Sequence, residues 1–264
     1  LSVSGTSTTF PITSTTMQIA HDWNKSGNNY MTPSFLGATN ITGITISQKS
    51  ALTGTMGNYF MRYYAGNCSS LTSLDVPDTS GLTSVGTYFM AYYASSCSSL
   101  ASLDVPDTSG LTSVGDHFMR SYAYGCSSLT SLAVPDISGL TSVGNYFMGY
   151  YARNCSSLTS LTVPDTSGLT SVGTYFMTYY ADGCSSLASL DVPDTSGLTS
   201  VGSNFMAYYA GGCSSLAELV LPAVGWFKDN NVNWNVPSGR LGVLKGRVLN
   251  SDDLNSWKAL TAEG

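Results

Sequence analysis

The sequence predicts an α/β solenoid, a stack of coils that each contain a parallel strand, a turn, a second short extended piece and a helix. The main observation is an interval: Cys68, Cys97, Cys126, Cys155, Cys184 and Cys213 follow one another every 29 residues. The residues between these cysteines repeat one pattern of leucine, proline, glycine and aromatic positions. A repeat of this length cannot bury its own apolar edge, so neighbouring coils must stack and share a core.

The first half of each coil has the pattern of a strand. We count positions from the cysteine, so that +3 is the third residue after it. Leucine recurs at +3 and +6 and an aliphatic residue at +8, so Leu74 and Val76 are predicted to point inward. Ser73 and Asp75 are then predicted to point outward. Proline at +9 ends this strand, and the sequence LTSVG returns as the second extended piece.

The end of each coil has the pattern of a helix that packs on the core through one face. In the copies from Cys68 to Gly212, Phe, Met, Tyr and Ala never change at +21, +22, +25 and +26, whereas +19, +20, +23, +24, +27 and +28 do change. Fixed positions at i, i+1, i+4 and i+5 form one stripe of a helix. Position +23, which Gly149 occupies, is therefore predicted to face water.

The pattern Leu-x-x-Leu-x-Val in repeats of this length is typical of leucine-rich repeats. The sequence "CSSLTSLDVP…LTSVG.YFM…C" more specifically resembles the BspA-like (Treponema-type) leucine-rich repeats of bacterial surface proteins, over residues 38–222. The resemblance implies a leucine-rich-repeat array in an adhesin-type bacterial surface protein. The coils here are longer than those of that class, with extra residues in DTSG and in MAYYASS.

The pattern divides the chain into three segments. Residues 1–37 are predicted to form an N-terminal cap with a possible short helix in MQIAHDWNKSG, and residues 38–222 the solenoid. The solenoid has six coils with the full pattern, the first of them degenerate, and a partial coil after Cys213. Residues 223–264 are predicted to form a C-terminal cap with a strand pair in RLGVLKGRVL and a terminal helix in SDDLNSWKALTAEG.

Charge and hydropathy exclude two classes of partner. The net charge is −6, and residues 68–212 hold ten aspartates against two arginines, so the array should repel nucleic acid. No apolar run is long enough to span a membrane. Only 10% of the residues are charged, which is more common in secreted and cell-surface proteins than in cytoplasmic enzymes.

The cysteines have two interpretations. Six of them in a secreted chain would fit a disulfide framework. Equivalent side chains in stacked coils, however, lie about 4.8 Å apart, whereas a disulfide needs Cβ atoms about 3.8 Å apart. We therefore expect six reduced thiols at buried positions.

No group of residues predicts catalysis, a metal or a cofactor. The two histidines, His21 and His117, have no partner spacing of a catalytic or metal site, and the chain has no phosphate-binding glycine loop. One aspartate recurs at +10, where stacked carboxylates could bind calcium or each could close its own turn through a side-chain hydrogen bond; we favour the turn. These residues are Asp78, Asp107, Asp136, Asp165 and Asp194.

Two surfaces are candidates for ligand binding. The first is the outer strand face, where position +7 differs between copies; its candidate residues are Ser73, Asp75, Asp104, Thr162 and Asp191. The second is the predicted helix face, where tyrosines recur at i and i+4; its candidate residues are Tyr88, Tyr92, Tyr146, Tyr150, Tyr175, Tyr179 and Tyr208. Tyrosine is enriched in recognition surfaces.

The sequence as a whole indicates a non-catalytic, secreted or cell-surface protein that mediates adhesion or macromolecular recognition. Its expected partner is a protein or glycan on another cell or in a matrix. A structural spacer, or a subunit that self-associates into a surface layer or fibre, is the alternative. Rows of hydroxyls that include Ser73 and Thr83 leave open a plane that binds ice or glycans.

Overall fold

The structure of the protein is a computed structural model that describes residues 16–21, 34–48, 51–221 and 243–246. It confirms the predicted solenoid. From Cys68 to Cys213 the chain makes five turns of 29 residues, with the degenerate coil before them and the start of a further coil after them. All strand pairs in the described residues are parallel.

The strands form two rows, one on each extended side of the coil. The first strand row contains β1 (Thr16–His21), β2 (Gly43–Gln48), β4 (Ser73–Leu74), β7 (Ser131–Leu132), β9 (Ser160–Leu161), β11 (Ser189–Asp191), β13 (Glu218–Leu221) and β14 (Val243–Gly246). The second strand row contains β3 (Thr53–Met56), β5 (Gly81–Val85), β6 (Ser113–Val114), β8 (Ser142–Val143), β10 (Ser171–Val172) and β12 (Ser200–Val201). Neither row is one continuous sheet, because each is divided into separate sheets of two or three hydrogen-bonded strands.

One continuous core lies between the two strand rows and the third side of the coil. Equivalent residues stack in ladders along it, as the fixed positions of the sequence predict: Leu at +3 and +6, Phe at +21, Met at +22, Tyr at +25 and Cys at 0 are buried in successive coils. Leu74 is buried and Val76 is partly buried, while Ser73 and Asp75 are exposed. The predicted inward and outward directions of the strand are therefore confirmed.

The predicted helices are absent from the described residues. Positions +19 to +28 of each coil, here called the aromatic side, form consecutive turns instead. Three alternate residues in every coil have left-handed backbone, for example Tyr146, Met148 and Tyr150 with φ of 56°, 48° and 60°. Their amides bond mainly to neighbouring coils: the Tyr150 amide donates to the Thr178 carbonyl (2.7 Å), and the Met148 amide donates to the Phe118 carbonyl (3.0 Å).

The spacing of the coils explains why a helix does not form. Strands in a sheet are about 4.8 Å apart, whereas packed helices need about 8–10 Å between their axes. The buried phenylalanine rings of successive coils stack with centroids 5.3–5.7 Å apart, close to the strand spacing. The aromatic side thus follows the strand spacing, which leaves no room for one helix per coil.

Two further predictions need correction. Position +23 does not face water: Gly149 is buried, and so are Ala91 and Thr178 at the same position of other coils. The segment predicted as a short N-terminal helix begins in the strand β1, which pairs with β2 and extends the first strand row. At the other end β14 pairs with β13. The predicted terminal helix and most of both predicted caps lie outside the described residues.

Candidate functional site

The first strand row presents a line of exposed side chains at +7. Asp75, Asp104, Ala133, Thr162 and Asp191 are all exposed, while the leucine before each of them is buried. Neighbouring strands pair in register, as Ser160 with Ser131 and Asp191 with Val220. Equivalent side chains therefore stand one strand spacing apart, about 4.8 Å. The structure brings the predicted strand-face residues together on one surface.

The three aspartates of this line are not equivalent. The Asp75 carboxylate accepts a hydrogen bond from the Ile46 amide (3.0 Å), which satisfies a strand amide where β2 runs past the end of β4. The carboxylates of Asp104 and Asp191 make no hydrogen bond or ion pair with any described residue. Asp75 therefore has a structural role, and Asp104 and Asp191 are free to meet a ligand.

The backbone under this line is fixed by a ladder of buried tyrosines. The hydroxyl of Tyr122 crosses the core and donates to the Asp104 carbonyl (2.7 Å), and Tyr209 donates to the Asp191 carbonyl in the same way (3.0 Å). The equivalent bond occurs in every coil from Cys68 to Gly212. Burial raises the pKa of these phenols well above the ordinary value, so they remain donors. The candidate surface consequently has a rigid base.

Position +4 belongs to the same surface, although the sequence analysis did not single it out. Thr72, Ala101, Thr130, Thr159 and Ala188 are exposed there. Two of these threonines bond their hydroxyls to the preceding coil, Thr72 to the Thr42 carbonyl and Thr159 to the Thr130 carbonyl. The exchange of Thr for Ala between copies could have identified this position from the sequence, because it is the same kind of variation that identified +7.

The tyrosines predicted to form a helix face lie in two columns that run along the aromatic side. Position +20 contributes Tyr59, Tyr88, His117, Tyr146 and Tyr175, with ring centroids 4.1–5.3 Å apart. Position +24 contributes Tyr63 and Tyr92 (4.5 Å apart), then Tyr150, Tyr179 and Tyr208 (5.0 and 4.6 Å apart). Each ring stacks on the next coil rather than pairing within a helix, so ring faces cover one another.

Arginines fill the spaces around these columns. Ser121 replaces tyrosine at +24 and interrupts that column, and the Arg120 guanidinium lies beside the gap, 5.7 Å from the Tyr92 ring and 5.2 Å from the Tyr150 ring. It also lies 4.3 Å from the Tyr146 ring. Arg153 approaches the Tyr179 ring (4.6 Å) and pairs with Asp182 (2.7 Å). The guanidinium groups are therefore held among the tyrosine rings of these columns.

The two sets of residues that could have carried other chemistry have structural roles. The +10 aspartates accept the amide of the serine two residues later, as Asp107 does from Ser109 (3.0 Å), so the predicted turn is confirmed. This bonding lowers the pKa of Asp107. All six cysteines are free and buried, as predicted, and each thiol donates to a backbone carbonyl, as Cys155 does to Ala123 (3.1 Å). The described residues contain no cluster suited to a metal ion.

A shallow groove of about 440 Å³ lies on the second strand row. Its lining has no charged side chain and consists of Thr112, Ser113, Val114, Ser142, Val143, Gly144, Ser171, Val172, Gly173 and Ser200. The hydroxyl-bearing threonines beside it are partly engaged, because Thr112 and Thr170 donate to carbonyls of the preceding coil. Of the two hydroxyl rows that the sequence identified, the groove includes only Thr112 of the Thr83 row, and the Ser73 row lies on the first strand row.

Comparison with known proteins identifies the family. A family model described as "BspA type Leucine rich repeat region" matches six copies across residues 31–148 and 58–224, so the chain belongs to that family. Two solved structures are similar: a leucine-rich repeat protein from Bacteroides ovatus (17% identity, 87% of this chain and 69% of that one, TM-score 0.27) and a leucine rich cell surface protein from Faecalibacterium prausnitzii (13%, 84% and 70%, TM-score 0.25). No curated protein matches. The described residues include no helix that could cross a membrane.

Proposed function

We propose that this BspA-type leucine-rich repeat protein is a non-catalytic recognition protein, secreted or held at the cell surface, that binds a protein or glycan through its first strand row. The observation that carries the proposal is position +7. It is exposed in each coil from Cys68 to Gly212 and varies from Asp to Ala to Thr, while Leu at +6 and Val at +8 are fixed. An exposed side chain that varies between copies while its neighbours in the strand do not is one that folding does not require.

The aromatic side supports this role less well. Its rings are half-buried and stack on one another, and only Tyr59 and Tyr208 at the ends of the columns are more than a third exposed (51% and 40%). A ring that is covered on both faces offers a partner only its edge and hydroxyl group. We therefore assign the tyrosine columns mainly to the stability of the stack.

The test is a binding array of proteins and glycans probed with the purified chain, followed by a pair of blocking variants. Ala133→Arg places a long cationic side chain in the middle of the +7 line, and Ser128→Arg places the same side chain at an exposed position outside it. Because both sites are exposed, both variants should fold. We expect Ala133→Arg to reduce binding at least about tenfold and Ser128→Arg to leave it unchanged.

Equal binding by the two variants would reject the strand row as the binding surface. The alternative, a spacer or self-assembling subunit, predicts a different result: no hit on the array, together with an apparent mass in sedimentation that rises with protein concentration. That alternative would be rejected if the chain is a monomer in dilute solution, binds an array component, and no longer binds it in the variant Ala133→Arg.

A further inference from the structure

We infer that the partner of the first strand row is an extended, basic peptide segment that lies across the coils with its cationic side chains spaced to match Asp104 and Asp191. This inference rests on the proposed function and adds the chemical class and the spacing of the ligand. It follows from three features of the row: where its charges stand, how far apart they are, and what lies between them.

The charges of the row are divided among the coils. Going along the stack, the +7 position carries Asp75, Asp104, Ala133, Thr162 and Asp191. Positions +4 and +5 beside them hold only Thr, Ala and Ser in these coils. In these five coils the surface therefore has an acidic stretch at one end, a neutral stretch that spans the next pair of coils, and one further acid, and positions +4, +5 and +7 carry no cation. Such a surface is complementary to a partner with two separated basic groups.

The separation of the two unbonded carboxylates fits an extended peptide. Asp104 and Asp191 are three coils apart, which at the strand spacing corresponds to about 14 Å. An extended chain advances about 3.3 Å per residue and places residues i, i+2 and i+4 on one face. Basic residues at i and i+4 would therefore stand about 13 Å apart and face both carboxylates. A third at i−2 would come near Asp75.

The neutral middle of the row makes the spacing selective. A basic residue at i+2 would lie over Ala133 and Thr162, where no described side chain carries a negative charge. It would lose some of its hydration and gain no ion pair. The row should consequently prefer i, i+4 spacing to i, i+2 spacing, which a diffuse acidic surface would not do.

The test uses two nine-residue peptides of identical composition, made of Lys, Ser and Thr and blocked at both ends. The matched peptide has lysine at its second, fourth and eighth positions and can meet Asp75, Asp104 and Asp191 together. The mismatched isomer has lysine at its second, fourth and sixth positions and in any register can meet only two of these carboxylates. Binding of each is measured by titration at low salt, with amide chemical shifts locating the contact. We expect the matched peptide to bind about threefold more tightly than the isomer, the difference that one exposed ion pair makes.

Variants of the protein give matched controls. The double variant Asp104→Asn with Asp191→Asn should bind the matched peptide about tenfold more weakly. Asp107→Asn with Asp165→Asn removes the same charge from two exposed turns, where Asn can keep the turn hydrogen bond, and should have no such effect. Ala133→Asp should strengthen binding of the mismatched isomer about threefold, because it supplies the missing carboxylate.

Three results would overturn the inference. They are equal binding of the two peptides, equal loss in the two double variants, and shift changes confined to the aromatic side. A different result would separate the two proposals: the peptides fail to bind, but an array component binds the natural chain and not Ala133→Arg. The proposed function would then stand, and the inference of a basic peptide ligand would be wrong. If neither the array nor the peptides bind, both are wrong.

Discussion

The first strand row and the aromatic side lie on different faces of the same coils and use their side chains in opposite ways. On the strand row the backbone is ordinary, the strands are two to six residues long, and exposed residues such as Ala133 and Thr162 vary. On the aromatic side four residues per coil, at +20, +22, +24 and +28, are left-handed, at a cost of about 1–2 kcal/mol each for residues other than glycine. There the rings stack and the backbone bonds to the next coil.

The difference shows which side can be altered without loss of the fold. A left-handed backbone must be offset by the burial and stacking of its own side chains, so substitutions on the aromatic side should affect folding first. The strand row is anchored from below by the buried tyrosines, so its exposed residues can change without that effect. Five predictions test this contrast, from the largest expected effect to the smallest.

The same charge on the two sides of one coil should have opposite consequences. Phe147→Asp places a carboxylate where the side chain is 1% exposed, and should cost at least about 4 kcal/mol, enough to abolish the cooperative unfolding transition. Ala133→Asp, at an exposed position of the same coil, should unfold like the natural chain. Urea titration followed by tyrosine fluorescence measures both. A similar loss of unfolding free energy in the two variants would contradict the contrast between the strand row and the aromatic side.

Alkaline pH should destabilise the stack through its buried thiols. Burial raises the pKa of Cys213 from 9.0 to about 12, and it raises the pKa of the other thiols as well. Because the folded value is the higher one, the full stability is present below pH 9 and is lost between pH 9 and 12, by about 1.4 kcal/mol per pH unit for each thiol.

The measurement for this second prediction is the free energy of unfolding as a function of pH, in the presence of a reductant. Cys155→Ala should flatten the decline by the contribution of one thiol. Stability that is constant from pH 9 to 11 would mean that the thiols are bridged or reach solvent.

Position +23 distinguishes the observed aromatic side from a helix. Gly149 is buried, and a Cβ there would meet the nearest heavy atom, the Thr178 methyl carbon, at an ordinary 3.5 Å, so Gly149→Ala should change the free energy of unfolding by less than about 0.5 kcal/mol. Gly149→Lys places a long cationic side chain at this buried position, against the Thr178 side chain, and should cost about 2–3 kcal/mol. Chemical denaturation of the two variants measures the difference. A silent Gly149→Lys would favour the solvent-facing helix that the sequence predicted.

Two buried tyrosines of the same ladder should respond differently to removal of their hydroxyl groups. Tyr180 donates to the Thr162 carbonyl (2.8 Å), so Tyr180→Phe should cost about 1 kcal/mol. The buried Tyr64 hydroxyl has no hydrogen-bond partner among the described residues, so Tyr64→Phe should be neutral or stabilising. Thermal unfolding of both variants tests whether the bonds under the strand row stabilise it. Equal effects would show that they do not.

The smallest effect concerns a pair of adjacent serines. Ser96 is left-handed with φ of 62°, at a position where Gly125 and Gly183 stand in later coils. Ser96→Gly should therefore stabilise the protein by about 0.5–1 kcal/mol. Ser95→Gly, one residue earlier and without left-handed backbone, should destabilise by a similar amount. The sign of the difference between the two melting temperatures is the result that matters.

The sequence predicted those elements of the fold in which side-chain direction depends on periodicity alone. The inward Leu74, the outward Asp75, the turn at Asp107 and the buried cysteines all followed from spacing and residue type. The helix did not follow, because fixed residues at i, i+1, i+4 and i+5 also arise when left-handed residues alternate in a turn. The spacing of the coils on the aromatic side decides against a helix, because the phenylalanine rings lie 5.3–5.7 Å apart and packed helices need about 8–10 Å. The periodicity within one coil does not determine that spacing.

The candidate site was predictable for a related reason. Variation between copies of the same chain marks Asp104 and Asp191 as dispensable for folding, and the structure places both on the exposed row. The same signal misled at +23, which varies between copies although Ala91, Gly149 and Thr178 are all buried there. Variation between copies therefore does not by itself identify a solvent-facing position.

The measurement that tests the central contrast most directly is the backbone conformation of residues 146–150 by nuclear magnetic resonance. Left-handed residues bring their own amide and α hydrogens unusually close. The account predicts strong intraresidue contacts between these hydrogens at Tyr146, Met148 and Tyr150, together with contacts from the Tyr150 amide to Thr178 in the next coil. Weak intraresidue contacts, with amide bonds from each residue to the fourth one before it, would show a helix and contradict the account.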